Sequence, residues 1–176
     1  MSEVTITPAT AADLPRLAEI ERAAARIFSP EDVPAAMADE SMPIEELERA
    51  RAAERVCVAR LGERPVGFLV GGTKDGLPYV AEVDVHPDLQ RRGIGTALLR
   101  AAIDWARLQR AAWLTLTFRH VPWNAPFYAK LKFAEIPAAE LGPELRAKLE
   151  GEARCGLDPA KRVAMRLGLE PVRRTT

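Results

Sequence analysis

Cysteine is scarce in this chain: 176 residues hold two, Cys57 and Cys155. Two thiols so far apart in sequence make neither a disulfide framework nor a zinc site, so the expectation is a reduced, cytoplasmic protein without a metal. An excess of either charge is also missing, with 25 basic against 25 acidic residues. That balance gives no basis for binding nucleic acid through a general polyanion surface. No apolar run approaches the roughly 18 residues that a membrane span needs. The opening Met-Ser-Glu-Val-Thr-Ile-Thr lacks the basic start and apolar core of a secretory signal. Repeats, low-complexity tracts and long internal linkers are absent too. The expectation is one domain over residues 1–172, with a frayed tail at 173–176.

What is present centres on residues 83–99. Val83 and Val85 alternate with Glu82, Asp84 and His86, the period of a strand, which ends at Pro87. From Ile94 the apolar residues Ala97, Leu98, Ala101, Trp105 and Leu108 trace one face of a helix. Gln90-Arg91-Arg92-Gly93-Ile94-Gly95 lies between them. The first N–H groups of a helix lack intrahelical partners and carry the positive end of its dipole, so they bind anions. Gly93 and Gly95 let backbone amides approach a phosphate and adopt turn dihedrals, and Arg91 and Arg92 add charge. A plain strand-to-helix turn with a solvated arginine pair is the bland alternative. Neither standard nucleotide fingerprint fits, because Leu98 replaces a third glycine and no Lys-Ser/Thr follows.

The rest of the chain supplies elements in order. Val4–Ile6 reads as a short strand ended by Pro8. Thr10-Ala11-Ala12-Asp13 reads as a capping box before a helix whose buried face is Leu14, Leu17, Ile20, Ala24 and Ile27. A loop with Pro30, Pro34 and Pro43 leads to a second helix over Ile44–Ala53, whose charge-rich face is solvated. Strands follow at Arg55–Arg60, where Cys57 is a core filler, and at Pro65–Thr73. The Asp75-Gly76 hairpin signal leads into the strand from Tyr79. Trp113–Thr117 is a fifth strand. Asn124 reads as the N-cap of a short helix, and Phe133–Ile136 begins a sixth strand. Glu144–Arg154 is a helix stopped by Gly156, and Arg162–Leu167 is a last strand. The result is an α/β (α+β) fold: a mixed, mostly antiparallel sheet of about seven strands with helices on both faces.

Gln90-Arg91-Arg92-Gly93-Ile94-Gly95 closely resembles the (Q/R)-x-x-G-x-(G/A) motif of the GCN5-related N-acetyltransferase (GNAT) superfamily. A second anchor, Asn124-Ala125-Pro126-Phe127-Tyr128 followed by Leu131-Lys132-Phe133, is similar to that family's N-x-x-x-x-F/Y-Y-x-x-x-G-F region. Lys132 stands at the usual glycine, which suggests a changed turn. The order of elements agrees along nearly the whole chain, apart from the extra helix before the last strand.

The resemblance implies direct acetyl transfer from acetyl-CoA to an amine, with no metal, membrane or nucleic acid involved. It places Gln90, Arg91, Arg92, Gly93, Ile94, Gly95 and Thr96 on the coenzyme A pyrophosphate. The backbone of Val83 and Val85 would pair with pantetheine, where the strand from Tyr79 and the strand at 113–117 splay apart. Asn124 would touch the pantetheine arm or cap its helix. Such a reaction needs a neutral amine, a stabilised oxyanion and a proton for the thiolate. Tyr128 matches the family tyrosine that supplies the proton. The base is open among Glu82, Asp84 and His120. Phe28, Trp123 and His120 would border the acceptor, beside the loop from Phe28 to Pro43. Glu31, Asp32, Asp39 and Glu40 there favour a cationic small molecule. A non-catalytic acyl-CoA sensor is the competing class, and an exposed last strand leaves a homodimer open.

Overall fold

Alternating and helical periods place the elements close to where the sequence puts them, and the departures lie at their ends. The computed structural model describes residues 4–34, 40–119 and 121–170; Asp39, His120 and the expected tail at 173–176 lie outside them. Its strands are β1 (Val4–Pro8), β2 (Val56–Leu61), β3 (Arg64–Lys74), β4 (Leu77–Val85), β5 (Trp113–Arg119), β6 (Ala134–Glu135) and β7 (Arg162–Gly168). They form one seven-stranded sheet in the order β1-β2-β3-β4-β5-β7-β6. β4 runs parallel to β5 in the register Tyr79↔Thr115 and Val80↔Leu116. β5 and β7 are antiparallel from Trp113↔Gly168 to Arg119↔Arg162. The described helices are α1 (Leu14–Ala25), α2 (Ile44–Ala52), α3 (Ile94–Leu108), α4 (Asn124–Lys130) and α5 (Pro143–Arg154). None is long and apolar enough to cross a membrane.

The chain divides into two compact units, Met1–Gly72 with Ala81–Ala102 and Thr73–Val80 with Ile103–Thr176. In the first, Leu14, Leu17 and Ile20 of α1 pack with Leu47 of α2 and with Val56, Val58, Phe68 and Val70 of the sheet. Burying each such side chain contributes about 1.5–3 kcal/mol. Ile27 does not join them. Helix α1 stops at Ala25, and Ile27, two residues past that end, is 37% exposed. The capping box forms as expected, with the Asp13 carboxyl accepting from the Thr10 N–H and hydroxyl at 2.7 and 2.8 Å. Asp13 is buried, and Arg60 reaches it at 2.7 Å. Burial opposes its charge, but the Arg60 and Thr10 bonds outweigh that and hold the carboxyl below its ordinary range. Its contribution to stability is therefore present above the ordinary carboxylate range and is lost as pH falls through the lowered value.

In the second unit, the Asp75 carboxyl caps α5 by accepting from the Glu144 and Leu145 N–H groups at 2.8 and 3.1 Å. The Asp75 N–H in turn donates to the Glu144 carboxylate. The sixth strand shortens to Ala134–Glu135, and Trp123 rather than Asn124 occupies the N-cap of α4.

Lys132 does not change the turn. With φ +70° it holds the left-handed conformation that a glycine would take. The Phe133 N–H donates to the Tyr128 carbonyl at 3.2 Å and the Lys132 N–H to the Ala129 carbonyl at 2.9 Å, a complete Schellman ending. A side chain in this conformation costs about 1–2 kcal/mol. Lys132→Gly should therefore stabilise the protein by about 1 kcal/mol and raise its melting temperature by about 2–4 °C. A lower melting temperature in a thermal scan would show that the lysine is unstrained.

Candidate active site

The basic turn is built on a glycine in the neighbouring strand. A Cβ at Gly67 of β3 would stand 2.8 Å from the Asp84 carbonyl oxygen and 3.3 Å from Ile94 Cγ2, so its absence lets β4 and the start of α3 close onto β3. The His86 N–H donates to the Val66 carbonyl at 2.9 Å, and a single 3-10 turn over Pro87–Leu89 follows. Two residues then take left-handed backbone, Arg91 at φ +58° and Gly93 at φ +82°. The sequence assigns this role to both glycines; instead Gly95 lies within the first turn of α3 and Arg91 makes the other reversal. The Gly93 carbonyl accepts the first helical bond, from Ala97 at 2.9 Å. The N–H groups of Ile94, Gly95 and Thr96 consequently have no intrahelical acceptor. Gln90, Arg91, Arg92 and Gly93 are exposed, and a Cβ on Gly93 would meet nothing within 4 Å. Cationic side chains, aligned amides and open space converge on an anion cradle.

One turn back along β4, Glu82 and Asp84 share a face, as period-2 alternation requires. Glu82 Oε1 accepts the Val83 N–H at 3.3 Å. Asp84 Oδ2 is buried without a hydrogen-bond donor. Burial, then the Glu82 and Glu21 carboxyls, push Asp84 well above its ordinary value. Glu21, on α1, is the residue that sequence reasoning missed. Its signal was present: Leu14, Leu17, Glu21 and Ala24 are spaced three, four and three apart, so a carboxylate interrupts the apolar stripe. Both Glu21 oxygens accept the Met42 N–H, at 3.0 and 2.9 Å. Burial and the Glu82 carboxyl push Glu21 up to about 7. A raised carboxyl favours the folded state below its ordinary range, and that advantage is lost as pH rises through about 7. His86 Nδ1 is also buried, 3.7 Å from Asp88 Oδ2. Phe28, in the turn after α1, is half-buried.

The second unit holds the tyrosine. Tyr128 is the buried member of the Phe127–Tyr128 pair, with ring centroids 4.9 Å from Phe118, 5.1 Å from Phe127 and 6.0 Å from Phe133. Asn124 opens α4, and Trp123 before it is 48% exposed. Tyr79 belongs to a structural network: its hydroxyl meets Thr117 Oγ1 at 2.8 Å, and Arg162 reaches Thr117 at 3.4 Å and Glu152 at 2.7 and 2.9 Å. Burial pushes the Tyr79 phenol above its ordinary value. Cys57 is held up at about 11 by burial, which suits a packing residue.

Comparison with known proteins gives a consistent answer. The model of the acetyltransferase (GNAT) family matches residues 15–133. Mycothiol acetyltransferase of Mycolicibacterium gilvum (strain PYR-GCK) is 43% identical over 53 residues, which is 30% of this chain and 18% of that relative. The ribosomal-protein-S18-alanine N-acetyltransferase of Escherichia coli has the same fold, with TM-score 0.66, 19% identity and 99% of each chain covered. So does the PaiA N-acetyltransferase of Thermoplasma acidophilum, solved in complex with coenzyme A, with TM-score 0.71, 16% identity, and 94% of this chain and 99% of that one covered.

Proposed function

Because the chain belongs to the acetyltransferase (GNAT) family, we propose that it transfers the acetyl group of acetyl-CoA directly to a primary amine. The cradle at the start of α3 carries this reading: a left-handed Gly93 facing open space, beside exposed Arg91 and Arg92. The amides from Gly93 to Thr96, with Gln90, Arg91 and Arg92, hold the pyrophosphate. That a fold relative was solved with coenzyme A supports the same ligand here. The Val83 and Val85 backbone pairs with the pantetheine amides as an added strand would, and Asn124 contacts the same arm. An N–H of β4 donates to the thioester carbonyl and stabilises the oxyanion.

Glu82 accepts a proton from the acceptor ammonium, with Asp84 beside it. The freed nitrogen lone pair forms the new N–C bond as the C–S bond breaks, and the nitrogen then gives up its second proton to solvent. Tyr128 donates its hydroxyl proton to the departing sulfur, and solvent restores it. Phe28 and Trp123 border the acceptor.

Supplying acetyl-CoA with a panel of amines and following thiol release is the direct test. Release that depends on both protein and amine is expected. Coenzyme binding with no thiol release from any amine would instead mark an acyl-CoA sensor.

A further inference from the structure

Helix α5 is the element by which this chain departs from the family's order, and its contacts within the second unit are largely polar. Leu145 is its buried residue. Further along, Lys148 and Glu152 face Tyr79 of β4, Thr117 of β5 and Arg162 of β7. These three share one face of the sheet, as the registers Tyr79↔Thr115 and Arg119↔Arg162 require. Glu152 is fully engaged, accepting from Arg162 through both oxygens at 2.7 and 2.9 Å and from Lys148 at 3.0 Å. That leaves Lys74, half-buried at the end of β3. Its Nζ stands 6.0 Å from the centroid of the Tyr79 ring, the same distance as Lys148 Nζ. Among the described residues no carboxylate pairs with it. The neighbouring acids are committed elsewhere: Asp75 accepts the Glu144 and Leu145 N–H groups, and Glu144 accepts the Asp75 N–H. Burial opposes the charge on Lys148, but Tyr79 and Glu152 outweigh that and hold its ammonium above the ordinary range.

The hydroxyls carry a second signal. Tyr79 Oη and Thr117 Oγ1 lie 2.8 Å apart, and Arg162 donates to Thr117 at 3.4 Å. One hydroxyl donates to the other, and whichever accepts keeps an O–H of its own. Among the described residues no acceptor meets that hydrogen, although Tyr79 is only 3% exposed. A spare donor and an unpaired ammonium beside one buried ring both call for an anion.

We propose that Lys74, Lys148 and the Tyr79–Thr117 hydroxyl pair bind the carboxylate of a small acid. The site does not rest on the function proposed above. A planar carboxylate offers two oxygens to the two ammonium groups, and a remaining lone pair accepts the spare O–H. Phosphate is better matched by a guanidinium fork, and the fork of Arg162 is already closed on Glu152.

Nuclear magnetic resonance on the full chain at neutral pH tests the site. Sodium acetate is the probe, with sodium chloride at equal ionic strength as the reference. Acetate is expected to shift the Lys74 and Lys148 side-chain signals saturably, with half-saturation at or below about 10 mM. Lys74→Met should weaken this binding at least about tenfold, and Lys74→Arg should recover most of it. Lys74 Nζ bonds to no described protein atom, so Lys74→Met should melt within about 2 °C of the wild type. The loss is then not unfolding. Acetate binding as tight in Lys74→Met as in the wild type overturns the proposal, as does a chloride response equal to that of acetate. Inorganic phosphate in the same titration decides the class of anion. A weaker response than to acetate supports the carboxylate, and tighter saturation by phosphate overturns it.

Discussion

Gly93→Glu is expected to weaken acetyl-CoA binding at least about a hundredfold by calorimetry, with the fold retained. Two effects add. At φ +82° any side chain is strained, at about 1–2 kcal/mol. The added carboxylate also lies at the positive end of α3, where it competes with a phosphate for the same amides and charge. The open space around a Cβ at this exposed position is what makes the experiment clean, because the Cβ itself meets no atom within 4 Å beyond its chain neighbours. Gly93→Ala separates the two effects. It carries the strain without the charge or bulk, and should lose only a few-fold in affinity. Binding by Gly93→Glu as tight as the wild type would remove the pyrophosphate from this turn.

Tyr128→Phe should lower kcat by about a hundredfold, within the usual yield of a positioned proton donor, while the affinity for acetyl-CoA stays unchanged. Phenylalanine preserves the aromatic ring that packs at 4.9–6.0 Å from Phe118, Phe127 and Phe133, and deletes only the hydroxyl. Tyr128→Ala would not serve, because emptying a buried aromatic site costs about 3–5 kcal/mol and mixes unfolding with chemistry. A rate unchanged in Tyr128→Phe, measured by thiol release at saturating acetyl-CoA, would leave the tyrosine with packing as its whole role.

The elements that the sequence discloses are those whose signal is local. Alternation in β2, β3 and β4, the Asp75-Gly76 reversal and the apolar stripe of α3 each depend on neighbours a few residues away. The basic turn is legible for the same reason, since its arginines and glycines are consecutive. What stays hidden depends on partners distant in the chain. Asp75 looks like a turn residue, and only the fold shows it capping a helix 69 residues later. Glu21 looks like an imperfection in an amphipathic helix until the fold buries it and lets the Glu82 carboxyl of β4 act on it. Helix endings mislead in another way. Glu54, Arg110 and Lys132 all take left-handed backbone, at φ 57°, 55° and 70°, where propensity asks for glycine. The closing hydrogen bonds, such as Arg55 N–H to the Ala50 carbonyl at 2.9 Å, outweigh a local preference worth about 1 kcal/mol.

The sheet order also sets a timetable for synthesis. β7 inserts between β5 and β6, so the backbone edge of β5 stays without this neighbour until Arg162–Gly168 has left the ribosome. At about 5–20 residues per second, the intervening chain takes roughly 2–10 s to make. Throughout that interval the nascent protein carries an open strand edge bearing Leu114, Leu116 and Phe118, a template for pairing with another chain. Ribosome stalling anywhere between α4 and β7 prolongs that hazard.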